Sequence, residues 1–148
     1  MNLFAPNRRA GRAAAVVATT GFAAIAVFEL ALALGAPLGH AAYGGSTAQL
    51  SAAERAVSVV AVIVWLTASA VVLGRSGFLR ADTRTRFRRG IWMLVAISAV
   101  AALPNLVSQS PWEHFVFGPA ALVLAGLCLV VARSSAGAPS EAAALRAA

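Results

Sequence analysis

Four apolar runs, nearly free of charge, leave this sequence few folds to adopt. Ala13–Leu34 is 22 residues with one charge, Glu29. Ala56–Leu73, Gly90–Val107 and Phe115–Ala132 are 18 residues each and carry none. A bilayer hydrocarbon core of roughly 30 Å needs about 20 helical residues, so each run spans it once its end caps are added. The expected architecture is all-α: a bundle of four transmembrane helices over about 13–34, 52–73, 84–107 and 111–132. A basic segment, 1–12, precedes it and a small polar tail, 133–148, follows. Composition agrees. The chain is 60% hydrophobic and 11% charged, whereas a soluble domain is about half apolar and a quarter charged.

Local signals mark the helix ends. Ser51-Ala-Ala-Glu54 has the pattern of a capping box opening the second helix. Ser110-Pro111-Trp112-Glu113 has the same pattern, with proline at the first helical position, and opens the fourth. Asp82 is placed to cap the third, so that helix is expected to begin inside the basic loop. Pro119, after Gly118, should kink the fourth helix. In the tail, Glu141–Arg146 is long enough for one helical turn.

The net charge of +7 would suggest nucleic acid in a soluble protein. Here all twelve basic residues are arginines, and they sit between apolar runs. Arg8, Arg9 and Arg12 precede the first span. Arg75, Arg80, Arg84, Arg86, Arg88 and Arg89 fill the second loop, and Arg133 and Arg146 follow the last span. Only Arg55 falls on the other side. Basic loops stay in the cytoplasm, which puts both termini inside and gives a multi-pass protein of the bacterial cytoplasmic membrane. The second-loop arginines are expected to set topology and to attract anionic lipid headgroups. Nucleic acid is not an expected partner. Arg8-Arg9 resembles the start of a twin-arginine signal, but the following apolar stretch is long for a signal peptide and carries Glu29. It is therefore read as a retained span.

The polar groups inside this apolar frame need an account. Glu29 lies five residues, or about 7.5 Å, from the outer end of its span. A carboxylate there is costly unless paired, hydrated or protonated. It is either a proton, cation or ligand site, or an anchor bonded to Arg55, Asn105 or loop backbone. Ser98 and Asn105 are seven apart and share a helix face, and Pro104 frees a carbonyl beside them. That face serves interhelical hydrogen bonding, or brings Asn105 and Glu29 into one pocket. The loop Gly35–Gly45 is apolar and glycine-rich. It is expected to fold back over the outer mouth of the bundle as a compact cap or a substrate-binding loop, with Tyr43 at headgroup depth. His40 and His114 lack a metal-ligand spacing, and Glu113 is accounted for by its capping box, so no metal is expected. The lone Cys128 excludes an internal disulfide and reads as a packing residue. No cofactor motif is present.

Two stretches resemble an uncharacterised family of small bacterial four-span membrane proteins. One is Glu29-Leu-Ala-Leu-Ala-Leu-Gly35-Ala-Pro37-Leu-Gly39, followed by Tyr43-Gly44-Gly45. The other is Asn105-x-x-Ser108-x-Ser110-x-x-Glu113, then Pro119. The resemblance implies an architecture and no reaction. It also implies that Glu29, Gly35, Pro37, Gly44, Gly45, Asn105, Ser108 and Glu113 form one unit at the outer face. The chain departs from the pattern at His114, where a basic residue is expected, and at Phe117, where tryptophan is expected. The candidate polar site is therefore Glu29, His40, Tyr43, Asn105, Ser108 and Glu113.

Three functional classes remain. A non-enzymatic membrane module, acting as accessory subunit, scaffold or lipid-contacting protein, is the leading one, because no catalytic set is visible. An oligomeric transporter using Glu29 as a proton or cation site is the second. A membrane enzyme or cofactor protein using the outer polar residues is the third. The expected partners are the bilayer with its anionic lipids, and either a second copy of the chain or another membrane protein.

Overall fold

The computed structural model describes residues 8–79 and 86–134. All regular structure among them is helical. Helix α1 is Arg8–Ala33, α2 is Ala52–Ser76, α3 is Arg88–Leu106 and α4 is Gly118–Ser134. A π turn, Glu113–Phe117, leads into α4, and two short 3₁₀ turns, Gly39–Ala41 and Tyr43–Gly45, lie between α1 and α2. Each of the four long helices, with α4 counted from Glu113, is long and apolar enough to cross a membrane. At ~1.5 Å per residue the 26 residues of α1 extend ~39 Å, and the 19 of α3 ~28 Å.

Some boundaries differ from expectation. Helix α1 starts at Arg8, five residues before its apolar run, because the helix continues through its basic first turns. Helix α3 starts at Arg88, behind Phe87, which makes no side-chain capping bond. Asp82, Arg80, Arg84 and the tail turn 141–146 lie outside the described residues. The Ser51–Glu54 capping box forms as read: Glu54 N donates to Ser51 Oγ, and the Glu54 carboxylate accepts from Ser51 N at 2.8 Å. Ser51→Ala should cost about 1 kcal/mol of stability. A thermal melt followed by circular dichroism reads this directly, and an unchanged midpoint would count against the cap.

The helices run alternately up and down. One end of the bundle holds the start of α1 and the end of α4; this is the arginine end. The opposite end, carrying the 3₁₀ turns, is the loop end. Helix α1 packs along α2, α3 along α4, and the two pairs join through α1 and α4. The inner surface is built from small side chains. Ala14, Ala15, Ala18 and Ala26 are buried on α1, with Ala68 on α2 and Ala102 on α3. Large apolar residues face outward instead, among them Val27, Val60, Ile63, Val100 and Leu103. That inversion suits a lipid solvent: alkyl chains solvate valine and leucine well, and small residues let backbones approach and gain dispersion contact. Gly11 shows how close the approach is, since a Cβ there would collide with the Ser134 side chain on α4. The largest buried side chain is Phe22, stacked on Trp65 with ring centroids 5.6 Å apart. Cys128 is fully buried in the same core.

Helices α2 and α3 make few contacts; near the arginine end Val71 lies against Gly90, and Phe87, just before α3, against Gly74. Toward the loop end they separate. Arg75 is not on the surface with Arg86, Arg88 and Arg89, as the sequence suggested. It is buried, and its Nη2 donates to the Ala132 carbonyl at 3.2 Å near the end of α4. A cation there answers the exposed carbonyls and partial negative charge of a helix C-terminus. Arg86, Arg88 and Arg89 are exposed.

Candidate functional site

The separation of α2 from α3 leaves a cavity of about 620 Å³ in the loop-end half of the bundle, within the roughly 300–1,000 Å³ typical of small-molecule pockets. All four helices line it. Helix α1 contributes Ile25, Phe28 and Glu29; α2 contributes Val57, Ala61 and Trp65. Helix α3 adds Ser98, Ala101, Pro104 and Asn105, and the fourth segment adds Glu113, Phe117 and Leu124. Ala41, Ala42 and Tyr43 close the top. Below it, toward the arginine end, Phe22, Ala68, Val72 and Ile91 are packed solid. Exposed lining residues lie on α2 and α3 (Val57 and Pro104) and at the loop end (Tyr43, Val107 and Gln109), so the cavity opens both between α2 and α3 and at its loop end.

Of the six candidate residues, Glu29, Tyr43, Asn105, Ser108 and Glu113 line this cavity. His40 does not. Its Nδ1 donates to the Gly45 carbonyl at 2.9 Å and stiffens the loop. His114 lies edge-on to Phe115, with centroids 4.5 Å apart. Among the described residues no three His, Cys, Asp or Glu side chains gather as a metal site would need.

Glu29 is not anchored by Arg55. Arg55 Nε donates instead to the Ala33 carbonyl at 2.9 Å, capping the end of α1. Nor is Asn105 the anchor, since its Nδ2 donates to the Ala101 carbonyl of its own helix at 2.8 Å. The neighbour of the Glu29 carboxyl is the Ser58 hydroxyl. Ser58 is fully buried and shares a 3.1 Å hydrogen bond with the Tyr43 hydroxyl. One carboxyl oxygen, Oε2, is buried without a partner. The Ser98 hydroxyl is likewise buried and unpartnered. Both residues line the cavity, but these two atoms lie just beneath its surface, and each is costly to leave unmet.

The loop Gly35–Gly45 folds back over the bundle, and its attachment is specific. The Tyr43 hydroxyl donates to the Glu54 carbonyl at 3.2 Å and turns inward to Ser58; it does not serve simply as a headgroup anchor. Tyr43 holds φ at 50°, and Gly44 and Gly45 hold 78° and 73°. This left-handed run turns the Gly44 N–H to Glu113 Oε1 at 3.2 Å. Glycine takes such angles without penalty, whereas tyrosine must be held there by its contacts.

Glu113 is therefore not a capping-box residue. Its second oxygen accepts from the Ser108 hydroxyl. The Ser110 hydroxyl donates to the His40 carbonyl at 2.9 Å. Both side chains of the expected box are drawn to the loop, and helical geometry is met by the π turn, in which Gly118 N donates to Glu113 O. The widened turn takes up the irregularity expected at Pro119. Sequence reading missed Ser58 and Trp65 as site residues. The signal was present: Glu54, Ser58, Ala61 and Trp65 recur at helical spacing on one face of α2.

Comparison with family models, curated proteins and solved structures finds no match to this chain.

Proposed function

We propose that this chain is a non-enzymatic binding module of the bacterial cytoplasmic membrane, with both termini inside and its cavity toward the outer leaflet. The observation that carries the reading is the position of the cavity. It occupies one half of the bundle, opens between α2 and α3 and at the loop end, and ends on a packed core. That is the form of a binding pocket.

The orientation rests on charge. Arg8 and Arg9 open α1, and Arg88 and Arg89 open α3, with no acid in either first turn. A cation at a helix N-terminus opposes the macrodipole, at about 0.3–1 kcal/mol each. Helix stability therefore does not account for these arginines, whereas retention of basic segments in the cytoplasm does. The same exposed arginines suit anionic headgroups. The resemblance of the two loop-end motifs to small bacterial four-span proteins supports the same placement. A second copy of the chain and another membrane protein are the two partner classes that fit.

Labelling intact cells with a membrane-impermeant maleimide tests orientation. In a Cys128→Ala background, Gln49→Cys should label at once and Arg89→Cys only after permeabilisation. The reverse pattern overturns the topology. Native mass spectrometry of protein released from its own membrane should show a bound small ligand. The second reading, an oligomeric transporter, draws on the unpartnered Glu29 Oε2. It predicts cation or proton flux in proteoliposomes that Glu29→Gln abolishes, and such flux would replace the binding-module reading.

A further inference from the structure

We propose that the cavity is a site for a hydrophobic organic cation, which enters from the bilayer through the gap between α2 and α3. The inference rests on the reading of the cavity as a ligand site and adds the class of ligand.

Its first support is charge. Two carboxylates, Glu29 and Glu113, line the cavity, and among the described lining residues there is no Arg, Lys or His. Arg55, near the loop end, is directed to the Ala33 carbonyl. Glu113 is met by the Gly44 amide and the Ser108 hydroxyl. Glu29 has the Ser58 hydroxyl and one buried oxygen with nothing. A carboxylate at this depth is costly unless it is paired, hydrated or protonated, and an occupant of opposite sign is one way to pair it.

Its second support is independent of the acids. Ser98 is 3% exposed, lines the cavity, and its hydroxyl has no partner. Buried hydroxyls are ordinarily bonded, and a small movement of the Ser98 side chain toward the cavity would let an occupant complete its set. The third is the wall. Phe28, Tyr43, Trp65 and Phe117 supply aromatic side chains to the lining, with one face of Trp65 covered by Phe22 and Phe28 tilted against Phe117; aromatic rings attract cations. Ala61, Ala101 and Leu124 make much of the remainder apolar. A dehydrated inorganic cation would need about six oxygens gathered at one point, whereas Glu113 and Ser108 are already bonded to each other and to the loop. An anion would meet two carboxylates and no cation. A neutral amphiphile would fit only a protonated or hydrated Glu29.

The test uses three probes on full-length protein in phosphatidylcholine nanodiscs, by equilibrium dialysis against empty discs. Tetraphenylphosphonium should bind saturably. Tetraphenylborate, of similar shape and opposite charge, should bind at least about tenfold more weakly. This comparison needs no variant. Glu29→Gln should weaken tetraphenylphosphonium by about tenfold or more, and Glu29→Asp should retain it. Equal binding of the two ions, or a cation affinity that folded Glu29→Gln leaves unchanged, overturns the proposal. The third probe, 1-dodecanol, separates the two readings. Saturable dodecanol binding without tetraphenylphosphonium binding overturns the cation class and keeps the ligand cavity. Failure of every probe to bind overturns both.

Discussion

Truncating Phe22 to Ala should lower stability by about 2–4 kcal/mol, measured by steric trapping or detergent unfolding in a bilayer mimic. Phe→Ala in a soluble core costs about 3–5 kcal/mol, through lost transfer energy and the cavity left behind. In lipid the separated helices still bury phenylalanine in hydrocarbon, so the transfer part shrinks and the packing part stays. Phe22 is fully buried against Trp65, among alanines too small to fill the gap. Little relaxation is available, and the packing loss should be felt almost in full. A loss below about 1 kcal/mol would mean that the α1–α2 contact can repack. Phe28→Ala is the control. Phe28 is only partly buried and lies at the cavity wall, so it should cost less.

Replacing Glu113 by Ala should detach the loop from the bundle. The substitution removes the acceptor of the Gly44 amide and of the Ser108 hydroxyl together. Hydrogen bonds to a charged group contribute about 1.5–3 kcal/mol each. Partial exposure of this pair makes about 2–3 kcal/mol for the whole change the reasonable expectation. The diagnostic reading is local. Hydrogen exchange at Gly44 and its neighbours should quicken by more than about tenfold, while exchange within α1 and α2 stays as it was. Uniform acceleration through the bundle would place Glu113 in global stability. No acceleration at Gly44 would remove it from the loop altogether. Ser108→Ala should give a smaller effect of the same kind, because it leaves the Gly44 bond in place.

What the sequence showed and what it hid divide along a physical line. Span number, the Ser51–Glu54 cap and the packing role of Cys128 depend on local composition or spacing, and they were legible. So was the loop-end placement of Glu29 and Asn105, since depth along a helix is a matter of counting. Glu113 was misread because its short-range pattern matched a capping box, while its actual partner is Gly44, 69 positions away. Arg75 was misread for the same reason: its acceptor, Ala132, is 57 positions away. Tyr43 finds Ser58 only because three residues in the left-handed region aim it there. Tertiary competition for a side chain leaves no trace in its immediate neighbours. Hydropathy could not separate inward from outward faces either, because both are apolar; the inner one is richer in alanine but also buries Phe22, Leu32, Val72 and Ile91.

That size rule has an evolutionary consequence. A lipid-facing residue such as Val60 or Ile63 can exchange for almost any other alkyl side chain with little loss, since every version is solvated by acyl chains. Ala15, Ala18 and Gly11 have no such latitude, because anything larger pushes helices apart. A saturation mutagenesis map of this protein should therefore reverse the soluble pattern, with its smallest residues the least replaceable. Descendants of one ancestral chain would drift apart fastest at their bulkiest positions, and their kinship would be preserved in a thin record of alanines and glycines.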